Sequence, residues 1–298
     1  MVSPELAGAY AYCERLAQSH YENFPVASHL LPASMRPHIA AIYAFARIAD
    51  DMADEGTRPD AARLDDLFKW GARLDQALGS GSPGDGPHGE VFVALQHSIP
   101  ACQLPLQLFH DLLSAFRQDV VVKRYETWED LQDYCRRSAN PVGRLVLRVA
   151  GHRLPELDEA SDAVCTALQL TNFWQDLRID WERGRLYLPA SVWRATGATE
   201  DGLDADRLPD EWRSAVLDAV EFTRRLFVRG RAVCDGVEGR LKYELRATWL
   251  GGTRILNRLE RSGFDVFHQR PALGAADAIV IACGTLLWRE TPRSPTRS

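Results

Sequence analysis

The sequence has no run of about 20 uncharged apolar residues, the length a membrane-spanning helix needs. Its most apolar stretch, Leu273 to Trp288, is interrupted by Asp277. That stretch is expected to be a buried C-terminal core helix, with contact at a bilayer surface as the alternative. The first two dozen residues carry charge too early and too often for a secretory signal peptide. The six cysteines (Cys13, Cys102, Cys135, Cys165, Cys234 and Cys283) are scattered, with no C-x-x-C pair. This argues against a disulfide framework or zinc site and for a reducing, cytoplasmic setting. Alternating β patterns of useful length are nearly absent. No glycine motif marks a dinucleotide site, so no nicotinamide cofactor (NAD(P)H) is expected. No glutamate is followed three residues later by histidine, which argues against a carboxylate-bridged di-iron bundle. The His110-Asp111 pair has no matching histidine cluster and reads as a surface or capping pair. A net charge of −6 gives no general reason for nucleic-acid binding, although a local basic pocket remains compatible with it.

What is present is helical periodicity. Apolar residues recur at three- and four-residue spacings near 36–55, 59–78, 105–120, 127–138, 158–182, 209–235 and 238–261. The glycine-rich stretch 79–89 reads as a surface loop. The polar, proline-bearing residues 289–298 read as a disordered tail. The simplest organisation is a single all-α domain over residues 1–288.

Two acidic clusters stand out. In the 36–55 helix, Tyr43, Arg47, Asp50 and Asp54 fall at i, i+4, i+7 and i+11, forming one stripe. Asp51 and Glu55 lie beside it. Four carboxylates near a helix C-terminus repel one another and oppose the macrodipole. One reading is a solvated acidic helix end. The other is a Mg²⁺ site, since hard cations take oxygen ligands and Mg²⁺ bridges carboxylates to substrate phosphate. The apolar flanks of the cluster favour a metal or another cationic partner. The second cluster repeats this logic: Gln169, Asn172, Asp176 and Asp180 share a stripe, followed by Arg183 and Arg185, whose guanidiniums suit phosphate. Together the clusters are expected to hold several Mg²⁺ ions around one diphosphate.

The stretches YAFARIADDMADE (43–55), NFWQDLRIDWERGRLYLP (172–189) and YCRRSANPVG (134–143) resemble the squalene/phytoene synthase family over nearly the whole chain. The resemblance implies a single-domain isoprenoid synthase helical bundle with a central apolar cavity, working on long-chain isoprenoid diphosphates with Mg²⁺. It implies metal ligation by Asp50, Asp51, Asp54, Asn172, Asp176 and Asp180. Arg47, Arg183 and Arg185 would contact diphosphate, and His20, Asn23, Phe24, Asn140 and Gln169 would line the substrate site. Tyr43 and Tyr134 would serve catalysis, although ordinary core packing is a competing role for Phe24 and both tyrosines.

Two segments, His20–Ser28 and Ser138–Gly143, look like the hydroxysqualene synthase branch of bacterial hopanoid biosynthesis. In the second, Pro141 lacks an amide hydrogen and disfavours helix at Asn140, so a local helix break is expected there. That branch ionises presqualene diphosphate and captures the cation with water. Transient contact with a presqualene diphosphate synthase and a downstream reductase, and peripheral docking at the inner face of the cell membrane, would then be expected. The alternatives are head-to-head condensation of farnesyl or geranylgeranyl diphosphates, and a non-catalytic helical assembly protein on the same scaffold.

Overall fold

The structure, a computed structural model, describes residues 3–19, 30–54, 58–79, 83–268 and 270–289. The whole His20–Ser28 segment, with His20, Asn23 and Phe24, together with Glu55 and tail residues 290–298, lies outside the described residues. Among the described residues the structure is helical, and its one β feature is an isolated parallel bridge between Arg124 and Leu186. None of these helices is long and apolar enough to cross a membrane. The chain forms two compact units, Met1–Lys123 with Asp133–Arg153, and Arg124–Gln132 with Leu154–Ser298.

The first unit contains α1 (Pro4–Ser19), α2 (Arg36–Asp54), α3 (Asp60–Leu78), α4 (Gly89–Cys102) and α5 (Leu106–Val121). It also takes the C-terminal part of α6 (Trp128–Ser138), and α7 (Asn140–Val149). Helix α2 packs against α1, α4 and α5. Its buried face carries Ile39, Ala40, Ala44, Phe45, Ile48 and Ala49. Phe45 lies in an aromatic cluster, with ring centroids 5.7 Å from Trp70, 6.4 Å from Phe92 and 5.4 Å from Phe109. Trp70 Nε1 donates to the Phe45 carbonyl at 3.3 Å, so the indole is satisfied while buried. With that face fixed, the Tyr43–Arg47–Asp50 stripe is left half-buried at the edge of the helix. The expected break at the α6–α7 junction falls on Ala139, with Asn140 and Pro141 in the first turn of α7. That is the position proline tolerates best, because the amide it lacks would have no helical acceptor.

The second unit contains α8 (Pro155–Gln175), α9 (Leu177–Glu182), α10 (Ala190–Ala195), a 3₁₀ turn at Glu200–Asp204 and α11 (Asp210–Gly230). It continues with α12 (Val233–Gly236), α13 (Leu241–Arg261) and α14 (Ala275–Leu286). The helix expected over 158–182 is thus two helices meeting at Asp176, and the one expected over 209–235 stops at Gly230. Glycine explains how closely these helices approach. A Cβ at Gly230 would lie 2.7 Å from the Ala160 carbonyl oxygen and 2.8 Å from the Val164 amide nitrogen of α8. A Cβ at Gly252 would lie 2.5 Å from Phe227. Trp174 of α8 is tied to α11, its Nε1 donating to Thr223 Oγ1 at 2.8 Å.

Helix α14 departs from expectation. It is not a buried core helix, because its buried residues are Asp277 and Thr285, both polar. Asp277 is fully buried and accepts from Arg254, Arg258 and, at 2.7 Å, the Gly274 amide. These donors hold its carboxyl below the usual carboxylate range, the Gly274 amide contributing most. The helix is therefore fastened by ionic anchoring to α13, and hydrophobic periodicity alone gives no sign of that.

Two outcomes follow from this packing. Gly230→Ala should cost roughly 1–3 kcal/mol, the usual penalty of overpacking. It should read as a lower urea midpoint with an unchanged far-ultraviolet helix signal. Since the folded Asp277 carboxyl titrates below its unfolded value of about 3.9, its contribution is complete above that pH and fades as acid protonates it. Hydrogen exchange normalised for intrinsic rate should therefore speed up selectively in α14 below about pH 4. Asp277→Asn should show the same acceleration already at neutral pH; equal protection in both proteins would contradict the anchor.

Candidate active site at two acidic helix ends

The first cluster sits where α2 ends. Asp50 and Asp51 are half-buried and Asp54 is exposed. Arg47 spans the first two, with Nη2 2.6 Å from Asp51 Oδ1 and Nη1 3.7 Å from Asp50 Oδ2. From α3, Arg63 Nη1 donates to the Ala53 carbonyl at 3.1 Å. A guanidinium there both satisfies a terminal carbonyl and offsets the negative end of the helix dipole. Arg63 was not among the residues the sequence pointed to. Its signal is a basic residue in the helix after a short connection, which is too common to single out. Tyr43, half-buried one turn before Arg47, has its phenol pKa pushed up by burial. Within the same unit, Tyr134 is buried and its hydroxyl donates to Asp119 Oδ2 on α5 at 2.8 Å. Asn140 is buried in the first turn of α7.

The second cluster lies at the α8–α9 junction. Gln169, Asn172, Asp176 and Asp180 are half-buried, while Leu170, Thr171, Phe173 and Trp174 are buried. The stripe survives the break because the Asp180 amide donates to the Asp176 carbonyl at 2.7 Å, as in a continuous helix. Asn172 Nδ2 donates to Asp176 Oδ2. Beyond α9, the Arg183 and Arg185 amides donate to the Asp180 carbonyl at 3.1 and 2.7 Å. Arg124 secures this turn, with Nη1 donating to the Gly184 carbonyl at 2.7 Å and its other nitrogens to Glu200 at 3.1 and 3.0 Å. Tyr187 stacks on Phe173 with centroids 3.7 Å apart, which fixes the same segment to α8.

The residue most clearly missed by sequence reasoning is Arg270. Its guanidinium forks onto Asp176, Nε to Oδ1 and Nη2 to Oδ2 at 3.1 Å. The neighbouring backbone is tied down by Gln175 Nε2 to the Pro271 carbonyl at 2.6 Å and by Arg258 to the Ala272 carbonyl. Arg258, Ser262, Arg270, Pro271 and Ala272 line a cavity of about 240 Å³. Arg270 lies 94 positions from Asp176 in a segment without helical periodicity, so no spacing rule connects them.

These residues fit a divalent cation of the hard class. Every candidate donor is an oxygen, from a carboxylate or from the Asn172 amide. Among the described residues no three His, Cys, Asp or Glu side chains converge as a ready metal cage. Mg²⁺ characteristically binds through one or two carboxylates together with substrate phosphates, and a sparse set of donors suits that arrangement. At Asp176 the Arg270 guanidinium supplies the positive charge.

The squalene/phytoene synthase family profile matches residues 17–277. The chain belongs to that family. The hydroxysqualene synthase of Zymomonas mobilis is 40% identical over 212 residues, covering 70% of this chain and 68% of the relative. The hydroxysqualene synthase of Rhodopseudomonas palustris is 33% identical over 267 residues, covering 89% and 88%. In structure the chain is similar to the squalene synthase HpnC from Alicyclobacillus acidocaldarius, with a TM-score of 0.81 and 40% identity. That likeness covers 89% of this chain and 97% of the other.

Because Arg270 occupies Asp176, Arg270→Gln should ease cation binding there. Titration with Mg²⁺, followed by thermal stability, should reach half-effect at roughly two- to fivefold lower concentration than in the wild type. That corresponds to a partly exposed ion pair of up to about 1 kcal/mol. An unchanged or weaker response would mean that the two cations do not compete.

Proposed function

We propose that this protein is a hydroxysqualene synthase, converting presqualene diphosphate and water into hydroxysqualene and diphosphate. The observation that carries the reading is the match to two hydroxysqualene synthases at 40% and 33% identity over most of the chain. The acidic helix ends and the Asn140-Pro141 helix start accord with it.

In this reading Asp50, Asp51, Asp54, Asn172, Asp176 and Asp180 hold Mg²⁺, which when bound supplies positive charge to the leaving diphosphate. Arg47, Arg183 and Arg185 bind diphosphate oxygens through charge-assisted hydrogen bonds. His20, Asn23 and Phe24, outside the described residues, are assigned to the substrate wall by sequence alone. The carbon–oxygen bond to diphosphate breaks with its electron pair leaving on oxygen. Tyr43, Tyr134 and Phe24 offer aromatic faces to the carbocation that remains. Water, oriented by Asn140 or Gln169, forms the new carbon–oxygen bond and gives up a proton to the departing diphosphate or to solvent. Electrons balance without a reductant, so no nicotinamide cofactor is consumed.

The chemistry requires an enzyme that makes presqualene diphosphate upstream and a reductase that replaces the hydroxyl downstream. Six free cysteines accord with a reducing cytoplasm. The similarity to a structure named squalene synthase favours one second reading, head-to-head condensation of two farnesyl diphosphates.

Incubation with synthetic presqualene diphosphate and Mg²⁺, without reductant, should release hydroxysqualene and diphosphate in equal amounts. Asp176→Asn should lower kcat by about 100-fold or more, the scale of losing one charge-stabilising group. Conversion of farnesyl diphosphate alone to a condensed product would favour the second reading instead.

A further inference from the structure

Helix α14 carries its polarity inside out. Asp277, Ile281, Gly284, Thr285 and Trp288 fall at i, i+4, i+7, i+8 and i+11, and they face the rest of the second unit. Asp277 and Thr285 are buried, and a Cβ at Gly284 would lie 3.0 Å from Leu250 of α13. Trp288 Nε1 donates to Asp235 at 2.8 Å, and its ring meets Trp249 edge-on at 5.4 Å. The opposite face presents Ile279 at 66% exposure, Val280 at 49%, Leu286 at 76% and Leu287 at 79%. Ala275, Ala276, Ala278, Ala282 and Cys283 are exposed beside them. From Leu273 to Trp288 the only ionisable side chains are Asp277, which is buried, and Cys283. An exposed face this apolar and free of charge marks an interaction surface.

We propose that this outer face of α14 docks on the surface of an anionic lipid bilayer, lying in the plane of the interface. Charge complementarity favours this occupant. At the N-terminal end of the helix, Arg254 and Arg258 share the single carboxylate of Asp277, which leaves net positive charge. At the C-terminal end, Arg231 lies 4.1 Å over the Trp288 ring and exposed Arg289 follows in sequence, while Arg246 is buried against Asp235 and adds no surface charge. Residues 289–298 hold three arginines and one glutamate. A chain of net charge −6 thus places basic groups at both ends of its most apolar face. Such a pattern pairs shallow apolar insertion with attraction to anionic headgroups. Size argues against a second copy of the chain as the occupant. The helix has 12 residues, about 18 Å at 1.5 Å per residue. A stable protein interface uses about 20–30 residues a side, whereas interfacial insertion needs one apolar face.

The proposal is independent of the reaction assigned above. Full-length protein is sedimented with vesicles of phosphatidylcholine alone, and with vesicles of equal parts phosphatidylcholine and phosphatidylglycerol. Wild type should bind the anionic vesicles more strongly, and added salt should reduce that binding. The double variant Ile279→Glu/Leu286→Glu alters only exposed positions and should lose roughly tenfold or more in vesicle affinity while keeping its melting temperature. Val121→Glu, an exposed apolar position outside α14, should bind like wild type. Failure of wild type to bind either vesicle, or equal binding by the double variant, would overturn the proposal. So would light scattering that shows a wild-type dimer made monomeric by the double variant, since that would give the face to a second copy.

Discussion

A carboxylate held at a half-buried helix end requires positive charge nearby, and in this protein guanidinium supplies it repeatedly. Arg47 lies across Asp50 and Asp51, and Arg63 caps the carbonyl end of the same helix. Arg270 forks onto Asp176, while Arg254 and Arg258 enclose Asp277. Each pairing costs desolvation, and each is set by the packing of apolar faces that leaves the acids no deeper and no shallower. The pairings differ in consequence. At Asp277 the carboxylate is fully buried beneath two partly exposed arginines, which makes the pairing a structural anchor. At Asp50, Asp51 and Asp176 the carboxylates keep partial exposure beside their guanidiniums.

For the proposed reaction, the arrangement requires no preformed metal cage, and none is present among the described residues. Carboxylates presented sparsely from helices and shared with guanidiniums hold weakly until a highly charged substrate adds its own oxygens. A polyphosphate then becomes part of the binding site as well as its occupant. Arginine serves such a site better than lysine, because its planar fork can move from a carboxylate to a phosphate with little change in geometry.

Inversion of α14 follows from the same rule. Once Asp277 is committed to two arginines, the helix can face inward only along the arc that contains it. The leucines, isoleucine and valine on the other arc are then obliged to face outward. Hydrophobicity explains the composition of the segment, and the ion pairing of the buried Asp277 carboxylate explains its orientation.

Much of this was legible in the sequence, because it depends on local periodicity. The all-helical class, the long helices α2, α3, α5 and α13 to within a few residues, and both acidic stripes follow from spacings of three and four. The ending of α6 before Pro141 follows from proline's missing amide. Three kinds of fact did not. The split of the 158–182 helix at Asp176 costs little locally and carries no glycine or proline to announce it. Arg63 and Arg270 reach their partners through tertiary packing, over sequence separations at which no periodicity operates. The orientation of α14 was misjudged because an apolar stretch is ordinarily buried, and the preference of one aspartate for two distant arginines cannot be read from its neighbours. Sequence alone determined which residues form helices and which carboxylates share a face, since both are fixed within a few turns of chain. Only the tertiary structure decided which guanidinium meets which carboxylate and which face of α14 meets solvent, since those depend on side chains brought together from separate helices.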